Sequence, residues 1–279
     1  SDLVEPLDGE MMRQWGPFDR SESVYYLTGN RNKRGMAVDF RSAEGLALIK
    51  SLALECDVVV ENFKPGAMAS MGLNYEALAE ANPRLIYASI TGFGADGPIA
   101  DQPGFDQIAQ GYSGLMSVTG SAESGPTRVG VAIGDQTTGM WAAIGILSAL
   151  NQRHKTGVGQ RIDTSLLAGL VGLLSVQGQR YLSLGETPAL AGNNHPVVTP
   201  CGVYQTQDGP INIAANTHNM WLSLCRLLNL EELISDPRFV DNAARTAHRS
   251  VLQDIIEKRL GEHPRQHWTA LMNKSGVPA

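Results

Sequence analysis

Only three cysteines occur in the 279 residues, Cys56, Cys201 and Cys225, and no two of them form a C-x-x-C pair. An odd, widely spaced set argues against a disulfide framework and reads as reduced thiols in a cytosol-like compartment. Long hydrophobic runs are missing as well: Met140–Leu147 and Leu166–Leu174 are too short to span a bilayer. No basic segment followed by an apolar stretch opens the chain, so a secretory signal is not expected. Positive charge is scarce, with 22 Lys and Arg against 28 Asp and Glu and a net charge of -6. That balance argues against general nucleic-acid binding, which needs a basic face, and leaves room for a polyanionic small molecule where basic residues cluster.

Several chemical signatures are absent too. There is no Walker A sequence and no G-x-S-x-G nucleophile elbow. The six histidines make no metal pattern: His263 and His267 are four apart, but Pro264 opens a helix between them and no carboxylate stands at ligand spacing. Gly92-Phe93-Gly94-Ala95-Asp96-Gly97 matches the dinucleotide pattern G-x-G-x-x-G after a strand, yet Pro98 and the polar run Ala100–Pro103 follow where a helix N-terminus is required. These glycines are expected to form a tight loop.

A hydrophobic fraction of 43% suffices for a sizeable core in one large domain or two smaller ones. Ser1–Glu5 reads as the tail of a strand and Gly276–Ala279 closes no element, so a chain cut at both ends is expected. Strands are predicted at Met36–Phe40, Asp57–Asn62 (β-branched, as in a parallel sheet covered on both faces), Leu85–Ile90 and Arg161–Thr164. Helices are predicted from Ser42-Ala43-Glu44 to about Glu55, briefly after Lys64-Pro65-Gly66, near Tyr75–Ala81, at Phe105–Met116, Thr137–Arg153 with a C-cap glycine at Gly157, and over Leu166–Leu184. This alternation argues for an open α/β sheet. Beyond Gly185 the composition changes, and a boundary is placed near residue 190. There a hairpin (Gly202–Thr206, Ile211–Ala215) turned by Gln207–Pro210 precedes helices at Met220–Leu228, Arg245–Leu260 and Arg265–Asn273.

The most informative stretch is Val129–Met140, where an apolar run meets one carboxylate, Asp135, just ahead of an apolar helix. Free N–H groups and the helix dipole favour an anion there, so Asp135 is expected to stay ionised. A helix cap and a nucleophile toward an activated acyl group both fit such a residue. Arg31, Lys33, Arg34 and Arg41 form a basic cluster that suits either solvent or phosphate, and Lys64 lies at a strand's C-terminal end, where open α/β sheets bind ligands. Gly192-Asn193-Asn194-His195 fits an ordinary linker or a lid that excludes water.

In order along the chain stand Asn30-Arg31-Asn32-Lys33-Arg34, Val60-Glu61-Asn62-Phe63-Lys64-Pro65-Gly66, Met71-Gly72-Leu73, Asn82-Pro83-Arg84-Leu85-Ile86-Tyr87, Thr91-Gly92-Phe93-Gly94 and Gly97-Pro98. They are followed by Gly104-Phe105-Asp106, Ser113-Gly114-Leu115-Met116, Gly134-Asp135, Lys155–Gln160 and Gly276-Val277-Pro278. Together these resemble the class III (CaiB/BaiF-type) coenzyme A transferases, and most of all those that pair succinyl-CoA with dicarboxylates. The resemblance implies a Rossmann-like open parallel sheet at 1–165 that binds CoA, a connecting helix and linker at 166–192, and a small α+β domain at 193–279. It also implies an interlocked homodimer, no metal, no cofactor beyond coenzyme A as substrate, no nucleic-acid or membrane partner, and a cytoplasmic or mitochondrial-matrix location.

Carried over residue by residue, Asp135 falls on the catalytic aspartate. Val38, Asp39, Phe40 and Arg41, then Asn62, Phe63 and Lys64, then Pro103, Gly104, Phe105 and Asp106 fall on CoA-contacting stretches, and Asn193, Asn194 and His195 on the family's glycine-rich lid. The implied reaction moves CoA between an acyl-CoA and a free carboxylic or dicarboxylic acid through an aspartyl anhydride and an aspartyl-CoA thioester. Amides of Gly134–Thr138 are expected to stabilise the oxyanion. The chain departs from the pattern in places. Ser70 stands where some transferases carry Arg, and Pro103 replaces a basic residue. Phe105 holds the position of a proton-transferring His in the racemase branch, which disfavours racemisation. The resemblance leads us to expect that the family's first strand–helix unit and its C-terminal segment are missing, so an inactive CoA-binding fragment is the other alternative.

Overall fold

A computed structural model describes residues 2–279 as two compact units. The first comprises the chain up to Ser113 together with Ala132–Leu173; the second comprises Gly114–Val131 and Leu174–Ala279. The division thus falls at Leu173 rather than near residue 190, and an internal segment, Gly114–Val131, goes with the C-terminal part.

In the first unit, β1 (Asp2–Glu5) runs parallel to β4 (Arg34–Ala37), with Asp2 opposite Arg34 and Glu5 opposite Ala37. Between them lie a 3-10 turn at Met11–Gln14, the two-residue strands β2 (Phe18–Asp19) and β3 (Glu22–Ser23), and α1 (Val24–Asn30), none of which the hydrophobic pattern announced. The buried Glu5 carboxylate organises this segment. It accepts from Arg13 Nε at 2.9 Å, Arg13 Nη2 at 2.7 Å and the Glu10 amide at 2.8 Å. The Arg13 guanidinium beside it holds the Glu5 carboxyl below the usual range. The expected strand at Met36–Phe40 begins two residues earlier, because the pairing partner Asp2–Glu5 sets the register. Past it, Ser42 Oγ accepts the Gly45 N–H at 2.9 Å and caps α2 (Ala43–Glu55) as expected.

The second sheet of this unit is β5 (Val58–Glu61), β6 (Ile86–Thr91) and β9 (Arg161–Ser165), all parallel with β6 in the middle. Ile86, Tyr87, Ala88 and Ser89 are all buried. β5 departs from expectation: it pairs on one side only, and Val60 is 55% exposed rather than covered on both faces. The crossover from β5 to β6 uses α3 (Ala67–Ser70) and α4 (Tyr75–Ala81), which bury Leu73 and Leu78 against Leu85 and Tyr87. Each such aliphatic side chain contributes roughly 1.5–3 kcal/mol. The segment Gly92–Phe105 stays a loop until α5 (Asp106–Tyr112), as its lack of a fingerprint helix required. A Cβ on Gly92 would lie 2.6 Å from Gly104 Cα, so both positions need glycine for two backbone segments to touch.

α6 (Ile133–Thr156) starts four residues before the expected Thr137, and Gly157 ends it at φ +78°, its N–H bonded to Arg153 O. The two-residue strands β7 (Gly120–Ser121) and β8 (Gly125–Pro126) precede it in the second unit. The helix expected over Leu166–Leu184 is broken into α7 (Leu166–Leu173) and α8 (Ser175–Leu184), because Ser175 takes a left-handed backbone at φ +46°.

In the second unit, β10 (Cys201–Thr206) and β11 (Gly209–Ala214) form the expected antiparallel hairpin. α9 (His218–Leu227), α10 (Asn242–Ala247), α11 (Arg249–Leu260) and α12 (Arg265–Lys274) cover it. They close a core that includes Tyr204, Ile213, Trp221, Phe239, Leu252 and Trp268. The single helix expected from Arg245 to Leu260 is two. Asp241 accepts the Ala244 N–H and starts α10, which ends at His248. Burial pushes the Cys225 thiol up to about 12, so it behaves as a small apolar core group. Among the described residues, no helix is long and apolar enough to cross a membrane.

Candidate active site

Asp135 is the third residue of α6, within the first turn rather than ahead of it. The N-cap residue Ala132 offers no side-chain acceptor. The cap comes from elsewhere: Asp106 Oδ1 accepts the Gly134 N–H at 2.8 Å, and Asp106 Oδ2 accepts from Gln110 Nε2 at 2.8 Å. Asp106 and Gln110 are both buried, and Asp106 opens α5 at the end of the Pro103–Phe105 segment. Thr138 Oγ1 donates to Gly134 O at 2.7 Å and fixes the next turn. A Cβ on Gly134 would press on Asp106 Oδ1 at 3.0 Å and on Leu170 Cδ1 at 3.1 Å.

Asp135 is exposed, yet protein crowding on its inner side partly desolvates it and raises its carboxyl above the ordinary value; the charge of Asp106 adds to the rise. A more basic carboxylate is a stronger nucleophile once ionised. The expected ring of amide donors is also partly spent, since Gly134 N–H goes to Asp106 and Gln136 N–H to Ala132 O at 3.1 Å.

The other candidate residues of this unit fall into two groups. Pro103, Gly104 and Phe105 lead directly into Asp106, and Phe105 is 59% exposed. Val38, Asp39, Phe40 and Arg41 meet Asn62, Phe63 and Lys64 through the rings of Phe40 and Phe63, 6.0 Å apart and edge to face. Val38 is buried and its amide donates to Glu5 O at 2.9 Å, so it anchors the stretch. Asp39 Oδ1 accepts the Arg41 N–H at 2.9 Å, and the Arg41 residue is exposed. Asn62 Nδ2 donates to Ile90 O at 2.7 Å. Phe63 and Lys64 line a cavity of about 150 Å³ with Glu61, Tyr87, Ser89 and Arg161.

Asn193, Asn194 and His195 belong to the second unit. Their loop is tied at both flanks: His195 N–H donates to Cys201 O at 2.9 Å, Arg249 Nη2 donates to His195 O at 2.8 Å, and Gly192 N–H donates to Gly120 O at 2.8 Å. His195 Nδ1 accepts from the amides of Val197 and Val198. Among the described residues, no group of three or more His, Cys, Asp or Glu gathers as a metal site.

Comparison with known proteins decides the family. The profile described as CoA-transferase family III matches residues 3–279. This chain belongs to that family. It is similar to an acetyl-CoA:oxalate CoA-transferase of Acetobacter aceti, with 39% identity over 99% of the chain and 71% of the relative. It is 40% identical to the human succinyl-CoA:glutarate CoA-transferase over 99% of the chain and 63% of the relative. The chain therefore spans 63% to 71% of the length of these two relatives. Among solved structures, a CaiB/BaiF family protein from Brucella suis superposes with a TM-score of 0.86 at 40% identity, covering 99% of this chain and 74% of that one. The parallel sheets and helices of the first unit are thus a family III arrangement.

Proposed function

We propose that this family III chain catalyses the reversible transfer of coenzyme A from an acyl-CoA thioester to a free dicarboxylic acid, with succinyl-CoA as the donor. The names of two relatives support an acyl-CoA donor and a dicarboxylate acceptor, acetyl-CoA with oxalate in one and succinyl-CoA with glutarate in the other. The observation that carries the reading is the exposed Asp135 carboxylate, held in the first turn of α6 by the buried Asp106.

In the proposed reaction Asp135 attacks the thioester carbonyl. The C–S bond breaks, CoA leaves as thiolate, and a mixed anhydride forms on Asp135. The thiolate then attacks the aspartyl carbonyl of that anhydride, giving an aspartyl-CoA thioester and releasing the donor's carboxylate. The acceptor carboxylate attacks this thioester, and the thiolate returns to the acceptor's carbonyl, which frees Asp135. No net proton or electron is consumed, so no cofactor beyond coenzyme A is required. Water has to be kept out, because both intermediates hydrolyse. In this reading Val38–Arg41, Asn62–Lys64 and Pro103–Phe105 contact the coenzyme.

The protein acts as a homodimer in this reading. On α6, Met140 (64% exposed), Trp141 (51%), Ile144 (52%) and Leu147 (66%) form an uncovered apolar stripe suited to a second copy. A cytoplasmic or mitochondrial-matrix location accords with the substrates. The test is direct: the purified protein is mixed with succinyl-CoA and glutarate or oxalate and products are read by mass. Asp135→Ala is expected to abolish exchange and keep CoA binding; near-normal turnover by that variant refutes the assignment. Deuterium uptake at the α-carbon without any acceptor acid would point instead to racemisation.

A further inference from the structure

We infer that Glu61 is a positioning residue that sets the Asn62–Lys64 loop for the nucleotide half of coenzyme A; this rests on the proposed function above. Glu61 is the last residue of β5 and stands opposite Ser89 of β6. Its Oε2 accepts the Phe63 N–H at 2.8 Å, two residues on, and its Oε1 accepts from the buried Ser89 Oγ. Both carboxylate oxygens are therefore engaged inside the chain. Beside them Asn62 Nδ2 donates to Ile90 O, so the loop is fastened to β6 at two consecutive positions.

The residues just after Glu61 depend on this fastening. The Phe63 ring meets Phe40, which joins the loop to the Val38–Arg41 stretch. Lys64 is exposed, and its carbonyl accepts the Ala67 N–H at 3.0 Å, which starts α3. Glu61 thus fixes the backbone from which one aromatic ring and one ammonium group project, and it is not itself placed on the reacting atoms. A carboxylate that accepts one hydrogen bond from its own loop and one from the neighbouring strand holds such a loop more firmly than a neutral acceptor does.

The experiment compares Glu61→Ala, Glu61→Gln and Ser89→Ala with the unaltered protein. Affinity for free CoA is measured by calorimetry, and kcat/KM is measured for succinyl-CoA and for succinyl-pantetheine, which lacks the nucleotide. Glu61→Ala is expected to weaken CoA binding about tenfold, the effect of losing a hydrogen bond to a charged group. Glu61→Gln should recover most of this, because its Oε1 still accepts from Phe63 and its Nε2 donates to Ser89. Ser89→Ala should weaken CoA roughly threefold. All variants should process succinyl-pantetheine like the unaltered protein. Unchanged CoA affinity in both Glu61→Ala and Ser89→Ala overturns the inference, as does an equal loss on both thioesters. Where Glu61→Ala does not fold, the Ser89→Ala and Glu61→Gln results decide by the same criteria. Failure of the unaltered protein to bind CoA at all removes the underlying function instead, a result distinct from normal binding by the variants.

Discussion

Asp106 Oδ1 lies 2.8 Å from the amide nitrogen of Gly134, a residue 28 positions further along the chain. Through this bond the first residue of α5 caps α6, and a buried carboxylate stands beside the exposed one of Asp135. Two effects coincide in one contact. The bond fixes where the helix begins, and the charge adds to the rise that burial gives the Asp135 carboxyl.

Replacing Asp106 separates those effects. Asp106→Ala removes the cap and is expected to cost about 1–2 kcal/mol in urea unfolding. Asp106→Asn keeps an acceptor for Gly134 but removes the negative charge that adds to the rise that burial gives the Asp135 carboxyl. The acid limb of its kcat/KM profile should therefore move to lower pH. An unmoved limb would mean that Asp106 acts through geometry alone.

The raised pKa of Asp135 carries a stability consequence of definite sign. The folded state holds that proton more tightly than the unfolded chain does, so the contribution is favourable at low pH and is lost as pH rises through the raised value. At neutral pH the ionised group is a small cost. Asp135→Asn should thus be slightly more stable than the parent at pH 7, by about 0.5 kcal/mol or less given the screening of an exposed group. The gain should vanish at about pH 3 or below, where the carboxyl is protonated in both states. Urea melts of the two proteins across this range measure it.

Gly92→Ala tests the contact between the loop after β6 and the Pro103–Asp106 stretch. The added methyl would fall 2.6 Å from Gly104 Cα, so one backbone must shift. A loss of about 2 kcal/mol in stability is expected. A raised KM for acyl-CoA should accompany it, because the Phe105 segment moves with Gly104.

Much of the framework was legible because its causes are local. The Ser42 cap of α2, the apolar run of β6 and the Gly157 cap each depend on residues within a few positions of one another, and the β10–β11 hairpin on two strands that adjoin in sequence. The features that could not be read depend on distant partners. α6 starts at Ile133 because a carboxylate from α5 reaches it, whereas the cap that the sequence offered, Asp135, lies inside the helix. The register of β4 is set by β1, and the segment between them is organised by the buried Glu5 and its partly exposed partner Arg13, which look like ordinary surface charges in sequence. The break at Ser175 depends on one left-handed backbone angle in a run that otherwise reads as continuous helix. The site shows the same split: Asp135 stood out through its neighbours, whereas the buttress of Asp106 and the bond from Glu61 to Phe63 emerged only in three dimensions.

The most direct measurement is covalent trapping at Asp135 during turnover. The protein is incubated with succinyl-CoA, treated with borohydride or hydroxylamine, digested and read by mass spectrometry. The account predicts a modification confined to the peptide carrying Asp135, dependent on the acyl-CoA and absent from Asp135→Ala. Sustained exchange between succinyl-CoA and a dicarboxylate with that peptide never modified would contradict it.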